Sequence, residues 1–114
     1  MEKVILDLLQ YNNYLLANGF NYEEIYPYSS YRVSLKSKEA EIKAALLAGK
    51  KIIVRAWNGN FSGSYYSGGH FFTILGYNSS TDQYFFGDPI LYWGGEMDIT
   101  AYSATADYIA AVTK

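Results

Sequence analysis

"GGHFFTILGYNSSTDQYFFGDP" (Gly68–Pro89) decides how this chain is read. Two apolar runs, His70–Tyr77 and Gln83–Asp88, flank Asn78–Asp82, a cluster of turn-forming residues. That pattern predicts a β-hairpin. The first run is apolar on both faces, as a central strand must be. Pro89 offers no amide hydrogen and ends the ladder. Successive strand residues alternate faces, so His70, Phe72 and Ile74 share one face, and so do Tyr84, Phe86 and Asp88. In registers that turn both sets the same way, His70 and Asp88 are diagonal cross-strand neighbours, with backbones about 7–8 Å apart. A one-residue slip would send them to opposite faces.

Working outward, apolar residues at Ile42, Ala45 and Leu46 predict a helix over 38–48, with Ser37 as N-cap, Glu39 in the first turn and Gly49 as its stop. Glu39 and Lys43 stand four apart on its solvated face and form an i,i+4 pair. "KKIIVRAW" (50–57) reads as a strand, and "NGNFSGSYYSGG" (58–69) as a long Gly/Ser/Asn loop. Residues 2–18 carry apolar positions at helical spacing and end at Gly19, a left-handed stop. Residues 20–28 read as irregular, and 30–36 as holding a short strand. Residues 90–100 read as a loop entering a strand, and 107–113 as a last strand or short helix. The expected fold class is α+β, with N-terminal helices packed on an antiparallel sheet. With 114 residues and no visible linker, one domain over 1–114 is expected.

Composition narrows the function. Half of the residues are hydrophobic and 13 are tyrosines, which suit strands, interfaces and peptide- or sugar-binding surfaces. The formal charge is −2 and no Lys/Arg cluster occurs, which argues against nucleic acid as a partner. There is no cysteine and a single histidine, so a disulfide framework, a thiolate zinc site and a thiol nucleophile from these residues are excluded. Asp82, Asp88, Glu96 and Asp98 lack the spacing of a calcium loop, so neither metal nor cofactor is expected. No apolar stretch is long enough for a transmembrane helix, and Asp7 interrupts the first apolar run, so residues 1–9 do not read as a signal peptide. The compartment is left open.

An imidazole beside a carboxylate has a defined use. The carboxylate accepts from one ring nitrogen and fixes the tautomer, and the other nitrogen takes a proton from a nucleophile. Gly68 and Gly69 would leave backbone room for an extended substrate beside His70. The plain structural reading stands next to it: a histidine at a strand start is often packing, and Asp-Pro is a common turn opener.

The stretch from Glu39 to Pro89, with Gly-His at 69–70, Gly-Tyr at 76–77 and Asp-Pro at 88–89, resembles the C-terminal portion of papain-like cysteine peptidases of the bacteriocin-processing type, which cleave double-glycine leader peptides and have many bacterial relatives. The resemblance implies a papain-like fold, His70 as general base, Asp88 as the acid that orients it, and Gly69 as the residue before the base. In that family a cysteine at the start of a central helix is the nucleophile, and an upstream Gln completes the oxyanion hole. This chain departs from the pattern in holding no cysteine.

Three accounts of the missing thiol follow. The domain is a non-catalytic module that binds an extended, leader-like peptide, or a carbohydrate, with Tyr65, Tyr66, Tyr92 and Trp93 as contact residues. Or a Cys-bearing segment from elsewhere, a separate segment or a partner chain, completes the site. Or Ser62, Ser64 or Ser67 serves as nucleophile, which the lack of a nucleophile elbow disfavours. A sheet lacking its central helix would also expose an apolar face and favour a homo-oligomer or a covering partner.

Overall fold

The computed structural model describes residues 19–61, 64–88, 93–100 and 105–113; at 58–61, 64–68, 70, 88 and 93–94 the description is of the backbone alone. Among the described residues, seven strands form one antiparallel sheet: β1 (Asn21–Tyr26), β2 (Val33–Ser34), β3 (Lys51–Phe61), β4 (Ser64–Asn78), β5 (Gln83–Asp88), β6 (Trp93–Met97) and β7 (Thr105–Thr113). Their order is β1-β7-β3-β4-β5-β6, with β2 also pairing with β7. The one α-helix among the described residues is α1 (Glu39–Leu47).

This corrects the expected α+β arrangement of N-terminal helices packed on a sheet. The sheet dominates, and a single short helix lies on one face. The helix predicted over 2–18 lies outside the described residues. Residues 58–69, read as a loop, are mostly strand: β3 runs to Phe61 and β4 starts at Ser64, joined in one long hairpin. Ser64 and Ser67 therefore belong to a strand, and Ser62 falls outside the described residues. Residues 21–26, expected to be irregular, pair with β7. Turn-like composition was overridden here by cross-strand pairing, which governs strand formation more than intrinsic preference does.

The last strand is the structural spine. β7 lies between β1 and β3, and positions 106–112 are all buried. Covered on both faces, an apolar run such as Tyr108–Val112 has no alternation to betray it as strand. The larger core joins Ile42 and Leu46 of α1 to Ile52, Val54, Phe72, Ile74, Phe86, Ile109 and Ala111. The opposite face gathers Tyr108 and Ala110 with Phe71 and Tyr28, and Ile53 and Val112 with Phe20 and Tyr22. So the central strands are covered on both faces; Leu75 and Phe85 are exposed on the β4–β5 hairpin.

α1 ends where expected. Gly49 takes a φ of +87°, a left-handed conformation that a side chain would disfavour. Its start differs: Lys38 occupies the N-cap position without a side-chain cap. Ser37 instead sits in a 3-10 turn (Lys36–Lys38), where its hydroxyl donates to the Ser34 carbonyl at 2.7 Å. Glu39 pairs with Lys36 at 2.7 Å, three residues back, in place of the expected contact with Lys43. Lys43 meets Asp82 at 3.6 Å and lies over the Tyr77 ring.

Candidate functional site

The hairpin predicted from 70 to 88 has a defined register. Thr73 lies opposite Gly87 and Ile74 opposite Phe86. Extended by one residue, that register sets position 88 across from Phe72, and hence diagonal to position 70. Phe72 and Phe86 are buried in the larger core with ring centroids 6.0 Å apart. By backbone alternation, positions 70 and 88 fall in step with these two rings, on the face that carries α1. His70 pairs with Ala56 of β3, and Asp88 pairs with Trp93 of β6. Position 70, in the middle of β4, thus lies near position 88, where β5 ends, and position 93, where β6 begins.

The other candidates run on along β4. Gly69 pairs with Trp57 and Tyr66 with Gly59, with a bulge between that takes up an extra β4 residue beside Gly68. Tyr65 belongs to the same stretch, opposite Asn60, and Tyr92 lies outside the described residues. Among the described residues no strand pairs with the outer edge of β4 from Ser64 to His70. Such an edge offers main-chain donors and acceptors to an extended peptide.

Gly69 has a second use that composition did not suggest. A Cβ there would stand 2.8 Å from Nη2 and 3.2 Å from Cζ of Arg55. The guanidinium thus occupies the space a side chain would need, on the face opposite to the one in step with position 70. Arg55 is only 8% exposed and Asp107 only 3%. Arg55 Nη1 and Trp57 Nε1 each donate to Asp107 Oδ2 at 2.5 Å. Asp107 Oδ1 is buried, with no hydrogen-bond partner among the described residues. Trp57 also lies against two guanidinium groups, with Arg55 at 4.4 Å and Arg32 at 4.7 Å from its ring centroid. The signal was present in the sequence: an Arg inside "IIVRAW" and an Asp inside "TADYIAAV" are charges in apolar strands, and such charges are rarely buried unless paired.

At the other end of the hairpin, Tyr84 is fully buried and its hydroxyl donates to Glu39 Oε2 at 2.7 Å. Burial, reinforced by that carboxylate, pushes the Tyr84 hydroxyl well above the usual phenol range. Hydrogen bonds from Lys36 and then Tyr84 hold the Glu39 carboxyl below its ordinary range. This network ties α1 to the sheet. Among the described residues no group of three His, Cys, Asp or Glu side chains is arranged to hold a metal ion. Of the carboxylates without calcium-loop spacing, Asp82 accepts from Tyr77, Glu96 from Asn78 and Thr81, and Asp98 from Thr100; the Asp88 side chain lies outside the description. No helix among the described residues is long and apolar enough to cross a membrane.

The family described as Peptidase_C39 like family matches residues 7–112. The chain belongs to this family. It is a C39-like, peptidase-related domain, and the match takes in both the 70–88 hairpin and the Arg55–Asp107 pair. No curated protein and no solved structure matches the C39-like chain.

Proposed function

We propose that this domain is the base-bearing part of a thiol-peptidase site of the bacteriocin-processing type, and that it binds an extended peptide along β4. Membership in the C39-like family, together with a hairpin register that sets positions 70 and 88 diagonally on one face of adjacent strands, supports this reading. His70 takes the proton of a thiol and returns it to the leaving amine; Asp88 holds the ring in one tautomer. The thiol comes from outside these 114 residues, which contain no cysteine. The outer edge of β4 from Ser64 to His70, without a strand partner among the described residues, supplies backbone pairing for the substrate, with Tyr66, Gly68 and Gly69 along it and Trp93 on β6.

The isolated chain should therefore bind peptides and not cleave them. A peptide-library digestion read by mass spectrometry, with binding followed by Trp fluorescence, tests this. Binding without turnover, weakened by Trp93→Ala in a folded protein, is the expected result. Turnover that disappears in His70→Ala would overturn the claim that the nucleophile lies elsewhere.

The absence of cysteine also favours a second reading, a binding module for peptide or carbohydrate without any catalytic role. Failure of any cysteine-bearing companion segment to restore cleavage, with binding intact, would select it.

A further inference from the structure

We infer that Asp107 is a positioning residue for His70, acting through Arg55 and Gly69; this rests on the reading of His70 as the base. The first observation is a β-bulge. Arg55 pairs with Tyr108, and the next residue, Ala56, pairs with Ala106, so Asp107 is the extra residue of β7. Ala56 in turn pairs with His70. The bulge therefore sits in the cross-sheet row that ends at His70. Bulges re-aim side chains and are found beside active sites. This one turns Asp107 and Tyr108, though adjacent, to the same face: Asp107 reaches Arg55, and Tyr108 packs with Ala110. It also brings Ala106 into step with Ala56 on the other face.

The second observation is that this bulge is held from two sides. The Asp107 carboxylate accepts from Arg55 and Trp57, and its backbone carbonyl accepts from the Ser29 amide at 3.2 Å. Arg55 is enclosed in turn, with the Trp57 ring at 4.4 Å and the Phe71 ring at 5.9 Å. It cannot withdraw without leaving a buried carboxylate uncompensated.

The third is the contact with Gly69. The guanidinium fills the space of the missing Cβ one residue before His70. The β4 backbone thus rests on a fixed platform on one face while position 70 addresses the other. A buried ion pair with an unpartnered Oδ1 is a poor way to gain stability, since apolar residues of similar size usually do as well. It is a good way to fix the height and pitch of a strand.

The chain's single histidine makes the test direct, because the ring ¹H–¹⁵N spectrum of the full chain reports His70 alone. The expected wild-type spectrum shows one neutral tautomer. Asp88→Asn, which tests the base reading itself, should replace it with a mixture. Gly69→Ala should produce the same loss with Asp88 intact, and so should the apolar swap Arg55→Met/Asp107→Leu, each in a protein whose near-ultraviolet circular dichroism shows a folded core. If Gly69→Ala fails to fold, the apolar swap carries the test. A folded swap that keeps the single tautomer overturns the positioning role while leaving the His70–Asp88 reading intact. A wild-type spectrum already mixed and unmoved by Asp88→Asn overturns both.

Discussion

Breaking the buried Arg55–Asp107 pair from one side should be far costlier than removing it altogether. In Arg55→Met the Asp107 carboxylate stays behind at 3% exposure, with Trp57 as its one remaining donor and Oδ1 still without a partner. An uncompensated buried charge of this kind costs about 3–5 kcal/mol. A domain of this size has a stability on the order of 10 kcal/mol, so a third or more would be lost. With a urea dependence of roughly 1–2 kcal/mol per molar, the unfolding midpoint should fall by about 1.5–5 M. Adding Asp107→Leu removes the stranded charge. Trp57 is only half-buried, so water can take over its N–H, and the double variant should return to within about 2 kcal/mol of wild type. The measurement is urea unfolding of the wild type, both single variants and the double, followed by Trp fluorescence and by far-ultraviolet circular dichroism. Single variants costing under about 1 kcal/mol each, with additive effects, are the behaviour of a solvated surface pair, and would refute the buried geometry and the platform built on it.

Three further outcomes are expected. Tyr84→Phe removes a buried hydroxyl's bond to a carboxylate and should cost about 1.5–3 kcal/mol at neutral pH. Because the folded Glu39 carboxyl is held below its ordinary range, its contribution is complete above that range and is lost as pH falls through the folded value; chemical unfolding from pH 7 to pH 3 should show the Tyr84→Phe difference shrinking toward the acid end. Ile42→Ala empties the fully buried contact of α1 with the sheet and should cost about 2–5 kcal/mol by thermal or urea unfolding. Light scattering on the purified chain should give a monomer, because central strand β7 is buried on both faces and the exposed large apolar side chains among the described residues are few, Tyr31, Leu47, Leu75 and Phe85; a stable dimer that persists in Leu75→Ser/Phe85→Ser would refute this reasoning.

The parts of the fold that were legible share one property: their signal is local. The 70–88 hairpin announced itself through two apolar runs, a turn cluster and Asp-Pro, whereas its register, with a bulge between Ile74 and Gly76, was open in the sequence. α1 showed through Ile42, Ala45, Leu46 and Gly49. What could not be read depends on pairing. Residues 58–69 have a loop's composition, yet β3 and β4 hold each other extended through them. Residues 107–113 fit a helix as well as a strand, because a strand buried on both faces has no period of two.

The candidate site divides the same way. His70 and Asp88 stand at the ends of one local motif, which is why sequence alone could nominate them as a pair. Arg55 and Asp107 are 52 residues apart, and they meet only because a bulge shifts β7 by one residue against β3. No periodicity contains that shift. Gly69 shows the consequence most clearly. Beside a candidate base it invited one explanation, room for a substrate. The coordinates supply another cause from the opposite face, where a guanidinium held by a buried carboxylate occupies the space of a Cβ. The two causes are compatible, because a strand flattened against a platform on one face can present an unobstructed edge to a peptide. They differ in what they forbid. Substrate room alone would tolerate Gly69→Ala in the unliganded protein, whereas the platform would register that single methyl group at the His70 ring before any ligand is added.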